Sequence, residues 1–131
     1  MLYLTGKILF KILFKILQVK VKGTKNVPQK GPLILLPNHL SYLDPPLVAT
    51  FVKRDCFFLA KYELFKNPIF SFILKSVHAY PVMRGKPDRK SLKFALKILK
   101  EGKALVIFPQ GTRNPKFRNK VRKGASYIIY N

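Results

Sequence analysis

Three short apolar runs, PLILL (32–36), CFFLA (56–60) and ALVIFP (104–109), constrain the fold of this chain more than any other feature of it. Each has the length of a buried strand, and AYPVMR (79–84) reads as a further one. Stretches with helical patterning lie between them. DPPLVATFV (44–52) opens with Asp44 as a cap and Pro45 at the first helical position. NPIFSFILKSV (67–77) carries Pro68 near its start. In DRKSLKFALKILKEG (88–102), Leu92, Ala95, Leu96 and Leu99 share one face and Gly102 is placed to stop the helix. QVKVKG (18–23) reads as a short strand or a helix exit, and NVPQKG (26–31) as a turn. Strands alternating with helices predict an α/β fold, with a largely parallel or mixed sheet and flanking helices. In such sheets chemistry sits beyond the carboxyl ends of the strands.

The chain has 131 residues, enough for one core and one domain. It is 48% hydrophobic, far too apolar for a disordered chain. Against 5 acids stand 26 lysines and arginines, a formal net charge of +21. That field attracts phosphate esters, acidic lipid headgroups, nucleic acid or acidic proteins. The apolar excess favours a membrane surface over nucleic acid, for which no recognisable reader with stacking aromatics is present. Cys56 is the single cysteine, which excludes a disulfide framework within the chain. No Cys-x-x-Cys or His-Glu-x-x-His pattern predicts a metal.

The segment 6–20 reads as an amphipathic helix. At about 100° per residue, Lys7, Lys11 and Lys15 fall within an arc of about 80°. Phe10, Leu13, Phe14 and Leu17 lie among the apolar residues that fill the rest. The lysines interrupt every window long enough to span a bilayer. A basic stripe beside a broad apolar face predicts a helix lying in an anionic membrane interface; the alternative is a helix packed on the domain. Residues 1–20 are thus expected to form a membrane-associating helix, and 21–131 the domain proper.

The most chemical stretch is Asn38-His39-Leu40-Ser41-Tyr42-Leu43-Asp44, immediately after the first strand. If the turn folds back, Asp44 accepts from one imidazole nitrogen of His39, and the other can take a proton from a hydroxyl. Ser41 is a conceivable nucleophile, yet HLSYL lacks the glycines of a nucleophile elbow. A substrate hydroxyl is the better one. The plainer alternative makes Asp44 a helix cap and His39 a turn residue. The other strand ends also carry polar residues: Lys61 and Glu63 in KYEL, Arg84 in PVMRG, and Gln110, Gly111, Thr112 and Arg113 in FPQGTR. Gly111 permits close backbone approach, the Thr112 hydroxyl can reach a phosphate oxygen, and the Arg113 guanidinium can grip one bidentately.

In this order NHLSYLDPP, KYEL, PVMRG and FPQGTR resemble the motifs of the glycerolipid acyltransferases, especially the 1-acylglycerol-3-phosphate (lysophosphatidic acid) acyltransferases, over residues 16–127. The resemblance implies a glycerol-3-phosphate acyltransferase-like domain without a cofactor. His39 would be the general base and Asp44 its orienting partner. Arg84, Gly111, Thr112 and Arg113 would hold the acceptor's glycerol phosphate, with Asn38, Lys61, Glu63 and Gln110 in positioning roles. It implies lysophosphatidic acid as acceptor and acyl-CoA or acyl-carrier protein as donor, on the cytoplasmic face of a membrane, peripheral or monotopic. Two departures are visible: Gln110 stands where the family has glutamate, and the chain ends at KGASYIIYN, before the family's V-P-x-x-P-like block. Residues 21–131 are therefore expected to be the N-terminal portion of such a domain, from a fragment or an unusually short member. The rival expectations are a catalytically weak, membrane-binding fragment and, from charge alone, a cationic nucleic-acid-binding protein.

Overall fold

The computed structural model describes residues 1–85, 87–110, 113, 114, 116 and 123–130. Helix α1 (Leu2–Ile16) precedes strand β1 (Leu33–Leu35), α2 (Asp44–Phe51), β2 (Cys56–Lys61), α3 (Pro68–Ser76), β3 (Ala79–Val82), α4 (Arg89–Lys100), β4 (Ala104–Val106) and α5 (Lys123–Tyr130). The four strands form one sheet in the order β1-β4-β2-β3, and every pairing is parallel. The short apolar runs thus become parallel strands covered on both sides.

The pleat sorts their side chains by parity. Leu33 and Leu35, Cys56 and Phe58, and Ala104, Val106 and Phe108 pack with Val48, Ala49 and Val52 of α2 and Leu74 of α3. Ile34, Phe57 and Leu59, and Leu105 and Ile107 pack on the other face with Ala95 and Ile98 of α4 and Ile128 of α5. Helix α4 is amphipathic as its pattern predicts, but its deepest line is Ser91, Ala95 and Ile98, while Leu92, Leu96 and Leu99 stay half-buried. Asp88 caps this helix through the amides of Lys90 and Ser91, both at 3.1 Å. Asn67 caps α3 in the same way, through Ile69 and Phe70. Gly102 follows α4 at φ +69°, the left-handed turn that glycine makes at little cost. Arg54 locks this end of the sheet, donating to the carbonyls of Pro28, Gly31 and Gly102 at 2.6–2.8 Å.

Of the two readings of QVKVKG, the helix exit holds and the strand does not: α1 ends at Ile16, and Gln18 turns the chain at φ 54°. Helix α1 is docked on the body by one edge. Phe14 is 1% exposed and meets the Phe51 ring at 5.8 Å, Tyr3 stacks on His78 at 4.3 Å, and the Tyr3 hydroxyl accepts from the Cys56 amide. Lys7 donates to the Val52 carbonyl at 3.2 Å, closing the end of α2. Phe14 and Lys7 therefore face the protein, because helical periodicity marks an apolar arc without marking which part of it meets the body. The opposite side of the helix is open, with Leu9, Ile12 and Ile16 at 63%, 54% and 72% exposure. Among the described residues no helix is long and apolar enough to cross a membrane.

Candidate active site

β1 ends at Leu35, and the eight residues 36–43 that follow bring Asp44 back to His39. One carboxylate oxygen, Oδ2 of Asp44, gathers three donors: the Leu40 amide at 2.6 Å, the Ser41 amide at 2.7 Å and His39 Nδ1 at 3.2 Å. The expected cap role for Asp44 is corrected by this arrangement. Asp44 is the first residue of α2 and its side chain makes no cap bond to the helix; it points backward into the turn it closes. Ser41 belongs to the same turn, its hydroxyl accepting from the Leu43 amide at 3.1 Å. The imidazole rests on Phe108, beyond β4, at 4.3 Å between ring centres, and is 13% exposed.

A carboxylate only accepts, so the contact fixes the proton on Nδ1 and leaves Nε2 as the basic nitrogen. Burial holds His39 below the ordinary imidazole value of 6.5. Asp44 opposes that fall, while the positive charges of Arg113 and Arg84 add to it. Burial alone would raise the Asp44 carboxyl, but the Ser41 and Leu40 amides and His39 hold it below the usual carboxylate range. The pair therefore rests as neutral imidazole and ionised carboxylate at neutral pH, the state needed to accept a proton.

The expected residues divide by how closely they join this pair. Arg113 lies near enough for its charge to act on His39, with its Cζ 3.2 Å from the centre of the Tyr42 ring. Arg84, after β3, also reaches His39 electrostatically. Gln110 is half-buried beyond β4, and Asn38 is exposed beside His39. Lys61 and Glu63 pair with one another at 3.8 Å, both about half exposed. Gly111 and Thr112 lie outside the described residues. Cys56 has no part in this chemistry, being 0% exposed with its thiol pushed up to about 11 by burial. No cluster of metal-ligating side chains occurs among the described residues. Sequence reasoning missed Phe108, the floor under His39, and Tyr42, the plate under Arg113. Phe108 carried a signal, since it stands one strand-parity step beyond Val106 in the adjacent apolar run.

Comparison with known proteins places this geometry. The sequence model of the family described as Acyltransferase matches residues 18–130. The 1-acyl-sn-glycerol-3-phosphate acyltransferase of Bacillus subtilis (strain 168) is 36% identical over 96 residues, covering 72% of this chain and 48% of the relative. The enzyme of the same name from Streptococcus pneumoniae is 34% identical over 109 residues, covering 81% and 40%. The crystal structure of the 1-acyl-sn-glycerophosphate (LPA) acyltransferase PlsC from Thermotoga maritima superposes with a TM-score of 0.69 at 28% identity, over 95% of this chain and 52% of that one. The chain spans about half the length of the relatives it matches.

Proposed function

The chain belongs to the acyltransferase family, and from that premise we propose that it moves a fatty acyl group from a thioester donor, acyl-CoA or acyl-carrier protein, to the free hydroxyl of 1-acylglycerol 3-phosphate, giving phosphatidic acid. His39 Nε2 takes the proton of the acceptor hydroxyl as its oxygen attacks the thioester carbonyl. Asp44 stabilises the imidazolium so formed, and the proton passes to the departing thiolate. Arg113 and Arg84 hold the acceptor phosphate, with Gly111 and Thr112 of the Arg113 motif as companions.

The observation that carries this reading is the Asp44 Oδ2–His39 Nδ1 contact of 3.2 Å, within electrostatic reach of two arginines beyond the ends of parallel strands. The test is phosphatidic acid formation from labelled acyl thioester. His39→Ala should lose roughly 10²–10⁴-fold in rate while circular dichroism stays that of the parent. A folded variant as active as the parent overturns the assignment. A parent that binds vesicles without turnover speaks instead for a catalytically weak membrane-binding protein.

The open apolar side of α1, with Leu13 and Leu17 at its rim and Lys11 and Lys15 beside it, supports seating on an anionic bilayer. In this reading the protein works at the cytoplasmic face of a membrane, peripheral or monotopic, so that a lipid acceptor reaches His39 without leaving the interface.

A further inference from the structure

We propose that Tyr42 is a positioning residue for the acceptor phosphate: its ring face holds the Arg113 guanidinium flat, leaving the N–H edge of that group to grip the anion beside His39. The inference rests on the phosphate role given to Arg113 above and adds the residue that aims it.

Three observations carry it. The first is the 3.2 Å separation between Arg113 Cζ and the Tyr42 ring centre. A guanidinium C–N bond is about 1.3 Å, so a nitrogen pointed at the ring would stand only about 2 Å from it, far inside contact distance. The guanidinium plane must therefore lie along the ring. In that pose the stack uses a face of the cation, and its donors, all in the plane, point outward past the ring edge. A bidentate phosphate contact needs that edge.

The second observation is the rigidity of the plate. Tyr42 sits between His39 and Asp44, in the turn whose amides at Leu40 and Ser41 are pinned to Asp44 Oδ2 and whose Leu43 amide is pinned to Ser41. The turn that orients the base therefore also orients the phosphate-binding arginine, and it sets the spacing between the two. Arg113, by contrast, is a long side chain beyond the end of β4, with many rotamers to lose when it is fixed. A lysine in its place could not stack in this way.

The third is exposure. Tyr42 is 77% exposed and belongs to neither apolar cluster of the body. A large aromatic in that position buries too little area to serve the fold, so its value lies in the contact it makes.

The test uses the full chain with Tyr42→Leu, Tyr42→Phe, Arg113→Ala and the Tyr42→Leu/Arg113→Ala double variant. Dissociation of sn-glycerol 3-phosphate is followed by NMR titration, and acceptor KM and kcat are measured in the acyl-transfer assay. Tyr42→Leu should weaken glycerol 3-phosphate binding, and raise acceptor KM, by about two- to fivefold, the range of an exposed cation–π contact, with kcat held. Tyr42→Phe keeps the ring face and should match the parent. In the Arg113→Ala background, Tyr42→Leu should do nothing further, an outcome a general loss of folding would not give. Parent-like binding by Tyr42→Leu, or an undiminished effect in the Arg113→Ala background, overturns the proposal. If Arg113→Ala alone weakens binding, the phosphate assignment survives and only the plate fails. If Arg113→Ala binds as the parent does, or the parent shows no binding, both fall.

Discussion

Oδ2 of Asp44 is the most heavily used atom of the site, and its three donors give Asp44→Asn a sharp outcome. Asparagine matches aspartate in size, so a merely structural turn would tolerate the exchange. As an amide it can present NH₂ to His39 and select the wrong tautomer, and it cannot stabilise imidazolium. We expect Asp44→Asn to lose at least about 10²-fold in kcat while its far-ultraviolet circular dichroism stays that of the parent. A second prediction concerns pH. Because the His39 imidazole is held below 6.5, the acid limb of kcat/KM should fall below that pH. Removing a neighbouring cation favours imidazolium, so Arg113→Ala should shift the limb upward in pH; a downward shift would contradict the electrostatics. At this scale the sequence revealed the pair but not its geometry. The five-residue spacing brought His39 and Asp44 together, while the backward direction of the Asp44 side chain depends on amides that no pattern of side chains marks. Tyr42 was invisible for a related reason, since its partner Arg113 comes from the far end of the chain.

Among the elements, α1 separates two kinds of information. Its amphipathicity was legible as a lysine stripe beside an apolar arc, but its docking was not, because Phe51, His78 and Val52 lie far away in the sequence. Its two sides make different predictions. Phe14→Ala should lower stability on the order of 3 kcal/mol in denaturant titration, since it empties a fully packed site. Lys11→Glu with Lys15→Glu should leave stability nearly unchanged and weaken sedimentation with phosphatidylglycerol vesicles at least about tenfold. Vesicle binding that survives the double reversal would remove the role given to these two lysines. The strands and helices were mostly legible because each short run of the sheet is apolar on both faces and each connecting helix opens at Asp, Asn or Pro. The strand ends were less so: β4 stops at Val106 although the apolar run continues to Pro109, and beyond that end Ile107 still donates to the Leu35 carbonyl while Phe108 forms the floor under His39.

For the whole molecule, the charge of +21 makes association with any anionic surface steeply dependent on salt. Vesicle binding should weaken several-fold between low and physiological ionic strength, while Phe14→Ala stability loss should not change. The charge also explains why composition alone left nucleic acid open as a partner: Coulombic attraction does not distinguish phosphate diesters from lipid headgroups. The order of strands carries a further consequence, for the history of the molecule during synthesis. Among the described residues β1 pairs only with β4, and β4 also pairs with β2, so the last of these four strands to leave the ribosome is the one that lies between two others. Until residues 104–106 emerge, β1 lacks its β4 partner and the turn bearing His39 has no Phe108 to rest on. Nascent chains stalled before that point should be cut readily by protease within residues 30–45, and chains released beyond it should become resistant in a single step, because the sheet closes by insertion rather than by growth at an edge.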